Sequence, residues 1–313
     1  MKYKRIILLA AAALFIAASC SAPAPSAPGN VKDAASAGPD VSADRDGNPI
    51  SPPKNIASVI SLGPSNTELL IALGCGEKII AADGYSLGIE GLKPGIPLFD
   101  MMAPDGELMI ALEPDVLLVT GMTMVGGDDP FISVKEAGVC VIYIPSSTSI
   151  AEILEDIRFV AAVFDAKARG DAIIGDMERE IGAVRAVGAG ITQKKSVYFE
   201  LSAAPWMYSF GEGVFLHEMI ELIGAENIFG DQQGWISVAD EAVLDADPDV
   251  ILTSTDYIDD PIGEIKERPG WDVLTAVRNG DVYYIDADAS NRPNHNIITA
   301  LKAMASAVYP DLY

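Results

Sequence analysis

Glu107-Leu108-Met109-Ile110-Ala111-Leu112-Glu113-Pro114-Asp115-Val116-Leu117-Leu118 is echoed later in the chain by Glu241-Ala242-Val243-Leu244-Asp245-Ala246-Asp247-Pro248-Asp249-Val250-Ile251-Leu252. In both, a glutamate opens a short helical pattern, Pro-Asp follows seven residues on, and a continuous apolar run comes next. Further upstream, Glu68 precedes Gly74 by six positions and Glu218 precedes Gly224 by six. The order in each half is therefore helix, glycine stop, Glu-helix, Pro-Asp turn and buried strand. Two such matches in the same order predict two similarly built lobes. Between them, residues 166–187 carry Ile173, Met177, Ile181 and Val184 at three- and four-residue spacing. That is the apolar stripe of one long helix lying against a surface. A single long joint predicts limited hinge motion, with any ligand in the cleft between lobes at the carboxyl ends of the strands.

The rest of the body fits an α/β fold. Residues 57–62, 78–82, 115–120 and 139–145 read as strands, and residues 104–112 and 133–137 as helices between them. Asn66 or Thr67 is placed to cap a helix that runs to Ala72 and stops at Gly74. Residues 149–164 form a helix directly before the long one. Strands are then expected at 195–200, 249–253 and 281–285, with helices at 216–223, 238–246 and 296–308. Continuous apolar strands alternating with helices argue for largely parallel sheets covered on both faces.

The amino terminus has a different character. Lys2, Lys4 and Arg5 precede an apolar run over residues 6–18, and Ile16-Ala17-Ala18-Ser19-Cys20 closes it with small residues and a cysteine. This is the layout of a secretory signal, and the run is short for a membrane span. The cysteine resembles the lipobox of bacterial lipoproteins, which implies cleavage before Cys20 and a lipid on its sulfur. Residues 21–53 are rich in Ala, Pro, Ser, Gly and Asp, with almost no large apolar side chain, so a flexible spacer is expected. Asp44-Arg45-Asp46-Gly47-Asn48 faintly resembles a calcium loop, but Asn55 stands where such a loop needs a bidentate Glu, so it reads as linker.

The expected division is residues 1–19 as signal, 20–53 as anchor and linker, 54–165 as the first lobe, 166–190 as the connecting helix and 191–313 as the second lobe. The body of about 260 residues is ample for a buried core. The chain has 21 basic and 45 acidic residues, and losing Lys2, Lys4 and Arg5 with the leader leaves 18 against 45, or −27. Such a surface repels nucleic acid and anionic headgroups. After Cys20 only Cys75 and Cys140 remain, which is no disulfide framework; buried free thiols are expected. No second apolar stretch of membrane length is present.

Val59-Ile60-Ser61-Leu62-Gly63-Pro64-Ser65-Asn66-Thr67-Glu68-Leu69-Leu70 resembles the opening of solute-binding proteins serving ABC importers of cobalamin and ferric siderophores. Ala111-Leu112-Glu113-Pro114-Asp115-Val116, Gly224-Ala225-Glu226-Asn227-Ile228-Phe229 and Trp235-Ile236-Ser237-Val238 resemble further motifs of that family, in order. The resemblance runs from about Ile56 to Tyr313. It implies two Rossmann-like lobes joined by a rigid helix (the class III binding-protein architecture) and a metal chelate held between them. It also implies permease and ATPase subunits as partners and a monomeric, extracytoplasmic protein anchored at Cys20.

The pattern is most similar to the family's cobalamin binders. That likeness implies docking to the importer through Glu107 and Glu241, the two glutamates of the internal repeat. It places Tyr85, Trp235 and Arg292 at the ligand. Aromatic faces suit a large macrocycle, and an Arg suits a carboxylate, phosphate or amide carbonyl. Where the cobalamin binders have a cleft tryptophan, Met101 and Met102 stand here; Met suits a flexible apolar wall. Trp206 and Tyr208 could compensate.

No P-loop, zinc-protease helix or nucleophile elbow occurs, so no catalytic residue is expected. The histidines are His217, read as a packing residue, and His295, which adjoins Arg292 and could face the cleft. Two distant histidines do not suggest a bare-metal site, and no cofactor is expected beyond the ligand. A corrinoid is the favoured ligand and a ferric siderophore or haem the alternative; a two-lobed redox enzyme would need clustered cysteines.

Overall fold

The computed structural model describes residues 41–124 and 129–313. Signal, lipobox and Cys20 lie outside the described residues. The strands are β1 (Val59–Ser61), β2 (Ile79–Asp83), β3 (Leu98–Phe99), β4 (Val116–Thr120), β5 (Cys140–Ile144), β6 (Ser196–Glu200), β7 (Tyr208–Phe210), β8 (Glu226–Asn227), β9 (Trp235–Ser237), β10 (Val250–Thr253) and β11 (Val282–Tyr284). The helices are α1 (Pro64–Ala72), α2 (Gly106–Ala111), α3 (Ile132–Glu136), α4 (Ile150–Val163), α5 (Lys167–Gly188), α6 (Phe215–Leu222), α7 (Asp240–Ala246), α8 (Pro261–Glu267), α9 (Thr275–Asn279), α10 (Ala287–Asn291) and α11 (Ile297–Val308).

The strands form two separate parallel sheets. In the first lobe five strands lie in the order β3-β2-β1-β4-β5, and in the second four lie in the order β11-β10-β6-β8. β7 and β9 make a small antiparallel ribbon beside the second sheet. β4 and β10 are buried along their whole length, as runs covered on both faces must be.

The repeated Pro-Asp has the same work in both lobes. A carboxylate oxygen of Asp115 accepts from the backbone N–H of Ala57 (2.7 Å) and Ser58 (3.0 Å), while the Ser58 hydroxyl accepts from Asp115 N–H. Asp249 accepts from Ser196 N–H (2.8 Å), and the Ser196 hydroxyl accepts from Asp249 N–H (2.9 Å). Each pair ties the start of one central strand to the start of its neighbour. The residue before each proline, Glu113 (φ 50°) and Asp247 (φ 41°), adopts the left-handed conformation that ends the preceding helix. Proline disfavours right-handed helix at the residue before it, so the chain must leave the helix there.

The long helix unites the lobes. Ile174, Met177, Ile181 and Val184 of α5 are buried in one apolar cluster that also contains Val59 and Ile157 of the first lobe and Val197, Leu216 and Leu301 of the second. A Cβ on Gly188 would lie 2.2 Å from the Leu222 carbonyl, so α5 and the end of α6 touch backbone to backbone. Separating the lobes would therefore open core. Smaller clusters fill the opposite faces of the two sheets.

Two expectations are corrected. The spacer was expected to run to residue 53, yet from residue 41 the chain is docked on the first lobe. The buried Asp44 carboxylate accepts from the backbone N–H of Asp46, Asn48 and Tyr143, and Arg45 donates to Asp156 (2.5 Å) and pairs with Glu155 (3.0 Å). A segment poor in apolar residues is held here by polar staples over the edge strand β5, which composition cannot foresee. The same contacts hold the Asp44 carboxylate inside its loop and against β5. The first helix, expected to be capped at Asn66 or Thr67, begins earlier, at Pro64 after Gly63. Proline suits the first helical position, and Gly63 (φ 110°) takes a conformation that side chains resist. Thr67 instead shares a hydrogen bond with Ser61, and Asn66 donates to Leu62 C=O.

Candidate functional site: the cleft between the lobes

The carboxyl ends of the first-lobe strands open onto a cavity of about 380 Å³ that the second lobe closes from the other side. The first lobe contributes Gly63 to Asn66 after β1, Met101 after β3, Thr120 and Met122 around the end of β4, and residues 144–148 after β5. The second contributes Gly213 to Phe215, Trp235 on β9, and Asn291 to Pro293. The first sheet changes direction between β1 and β4, the point where open α/β sheets leave a crevice. A larger groove of about 840 Å³ lies among α4, α5 and α6. It contains no aromatic side chain and lies away from the strand ends, so the smaller cavity is the candidate site.

Of the residues singled out from sequence, Met101, Trp235 and Arg292 line this cavity. Met101 is buried in its floor, and Trp235 packs edge-on against Phe210 at 6.2 Å while leaving 55% of itself exposed. Tyr85, Met102, Trp206 and Tyr208 do not line it; each is an exposed side chain on a strand end or following loop, Trp206 the most open at 78%. Asp83 fixes the Tyr85 turn. Its buried carboxylate accepts from Tyr85 N–H (2.8 Å), Gly63 N–H (2.8 Å) and the Ser86 hydroxyl (2.7 Å), joining the loops after β1 and β2.

Arg292 is in the wall but is not free. Its guanidinium is paired with Glu68 of α1 and, at 2.5 Å, with Asp288. Glu68 also accepts from the side chains of Asn294 and Asn296, the latter at 3.1 Å, so one carboxylate of the first lobe gathers three residues of the second. The contact is answered from the other side. Glu218 of α6 accepts from the backbone N–H of Ile150 (3.0 Å), the first residue of α4. Each lobe's first helix thus sends a glutamate to the amino terminus of the other lobe's last helix, where negative charge suits the dipole. These are the two glutamates set six residues before a glycine.

Burial raises the Asp288 carboxyl; Arg292 opposes this, while Glu68, Asp286 and Asp256 add to it. His295 does not line the cavity. It borders a separate groove with Glu68, Asp288 and Leu87, its buried Nδ1 lacks a partner, and burial lowers its pKa against the pull of Glu68. Asp156, at the back of the cavity, is raised by burial and held partly in check by Ser147 and Arg45.

Glu107 and Glu241 both stand exposed in the first turn of a helix, α2 and α7. Cys75 and Cys140 are free thiols. Among the described residues, no group of three or more His, Cys, Asp or Glu is placed to hold a metal ion, and no helix is long and apolar enough to cross a membrane. Sequence reasoning missed Met122, residues 144–148 and Gly213 to Phe215. Their signal was position alone, immediately beyond predicted strands or before a predicted helix.

Two parallel-sheet lobes on one long helix, with a cavity between them, define a two-lobed binding protein. The chain belongs to the periplasmic binding protein family, whose profile matches residues 59–289. It is 29% identical over 309 residues to an uncharacterized ABC transporter substrate-binding lipoprotein of Bacillus subtilis, covering 98% of this chain and 96% of that one. It is 27% identical over 250 residues to the vitamin B12-binding protein of Vibrio parahaemolyticus, covering 79% and 87%. A solved Staphylococcus epidermidis structure, described as a possible iron-binding, periplasmic solute-binding protein, superposes with a TM-score of 0.72 at 29% identity, covering 82% of this chain and all of that one.

Proposed function

We propose that this chain is the lipid-anchored, extracytoplasmic receptor of an ABC importer and that it captures a metal chelate, preferentially a corrinoid, between its lobes. The observation that carries the reading is the interlobe cavity itself, floored by Met101 and flanked by a half-exposed Trp235. A macrocycle larger than the cavity would extend over the exposed rings of Tyr85, Trp206 and Tyr208. Glu107 and Glu241, one per lobe, are the carboxylates that would meet basic residues of the importer. Cys20 would carry the lipid, and residues beyond it would lead to the docked segment at 41. The protein would act as a monomer and deliver its ligand to permease and ATPase subunits without chemistry of its own.

Calorimetric titration of the purified chain in detergent with cobinamide tests the ligand. Saturable one-to-one binding is expected, weakened about tenfold or more in Trp235→Ala, because a stacked aromatic face contributes roughly 1 kcal/mol beyond the area it buries. No heat with folded protein would transfer the proposal to ferric siderophores or haem. Glu107→Ala with Glu241→Ala should leave the titration unchanged and abolish uptake in cells. Unchanged uptake would refute the docking assignment.

A further inference from the structure

We propose that Glu68 sets the charge selectivity of the cleft: by engaging Arg292 across the lobes, it leaves the cavity without a free cation and directs it to ligands whose buried face is neutral or cationic. The inference rests on the interlobe cavity being the ligand site. Among the described residues lining that cavity, Arg292 is the sole Lys, Arg or His. Its guanidinium is claimed by Glu68 and Asp288, and only 16% of its side chain is exposed. Two carboxylates, Glu68 and Asp288, meet the one guanidinium, and Asp286 and Asp256 add their negative charge at Asp288. The other buried arginine of the second lobe, Arg268, is equally committed, to Glu200 and Glu264.

An anionic ligand would have to draw Arg292 from Glu68. That would leave the Glu68 side chain, itself only 10% exposed, as an unpaired buried charge beside the ligand. Asn294 and Asn296 bond the other carboxylate oxygen and are neutral, so they would hold Glu68 in place without cancelling its charge. A ligand presenting amides or esters makes no such demand. It can accept from or donate to the wall with the ion pair intact.

The test uses two dicyano corrinoids with the same ring: cobinamide, with an amide periphery, and cobyrinic acid, with carboxylates in place of those amides. The full chain in detergent should bind the amide ring at least about tenfold more tightly than the carboxylate ring, as expected for repulsion across a few ångströms at low effective dielectric. Glu68→Gln, which keeps a carbonyl acceptor for the two asparagines, should shrink that ratio about tenfold by leaving Arg292 only its exposed partner, Asp288. Glu68→Gln with Arg292→Gln should restore it. The ratio cancels any general loosening of the lobes.

Should the variants fail to fold, the wild-type chain gives a second reading: affinity for the carboxylate ring should rise with salt as the repulsion is screened. Equal binding of both rings, or a ratio unmoved by Glu68→Gln, overturns the proposal. If neither ring binds, the corrinoid reading fails separately, and a cationic ferric hydroxamate against an anionic ferric catecholate takes the place of the rings. Preference for the catecholate, or binding of none of the four, overturns the charge proposal as well.

Discussion

The two lobes share a trace but not the means that secure the ends of their central strands. In the first, a chain of short neutral hydroxyls runs from Ser61 to Thr67 to Ser86 and ends on the single carboxylate of Asp83. In the second, Glu200 at the end of β6 is wholly buried and meets Arg268 in two hydrogen bonds, at 2.8 and 3.1 Å. Arg268 is also stacked on Trp271, 4.1 Å from the ring centroid, and its pKa is raised: burial works against the charge, but Glu200 and Glu264 more than offset it. Burial pushes the Glu200 carboxyl up, opposed by Arg268. The hydroxyl network ends on a carboxylate that also accepts from the cleft loops, from the backbone N–H groups of Gly63 and Tyr85. The ion pair closes on itself, fixes α8 to β6 and leaves the cleft nothing.

The largest effect should therefore come from breaking the closed pair. Arg268→Ala strands Glu200 in the interior and should cost about 3–5 kcal/mol in denaturant unfolding. Asp83→Asn removes a charge acceptor from neutral donors and should cost about 1–3 kcal/mol. A larger loss from Asp83→Asn would invert the contrast between the lobes.

The two junctions between lobes come next. Glu68 serves an arginine and two asparagines, whereas Glu218 serves one backbone N–H. Glu68→Ala should cost about 2–3 kcal/mol and Glu218→Ala about 1 kcal/mol, the difference between a charged hub and a single hydrogen bond. Urea titration of both variants measures it. Equal losses would mean that the reciprocal contacts are interchangeable despite their different chemistry.

What was legible in the sequence was whatever repeats or alternates. The strand runs at 115–120 and 249–253, the stripe on the long helix and the doubled Pro-Asp all announce local structure, and the lobes follow from them. The cleft was only partly legible. Met101 and Trp235 were placed through the resemblance to the cobalamin binders, but the fate of Arg292 depends on Glu68, more than two hundred residues away, and no local pattern encodes that pairing. His295, three residues beyond Arg292, reaches only the neighbouring groove, whereas Arg292 lines both that groove and the cavity. Glu200 reads as one more strand residue, and only packing reveals that Arg268 meets it. The docked segment from residue 41 escaped because its contacts are polar and distant, with Arg45 reaching Asp156.

The smallest contrast concerns the feature that the lobes share. If the Pro-Asp staples are equivalent, Asp115→Asn and Asp249→Asn should cost the same, about 1 kcal/mol each at neutral pH, because each weakens one carboxylate acceptor for strand-end donors. The acid side offers a sharper view of the first. The backbone N–H groups of Ala57 and Ser58 hold the Asp115 carboxyl below its ordinary range. The unfolded chain therefore takes up the proton first. Stability from this group is fully present above the unfolded value of about 3.9 and is lost as pH falls through the lower, folded value. Asp115→Asn should remove that contribution and flatten the acid limb of the stability curve below about pH 4. An unchanged acid limb, or a severalfold difference between the two variants at pH 7, would show that identical sequence signals have diverged in the force they exert.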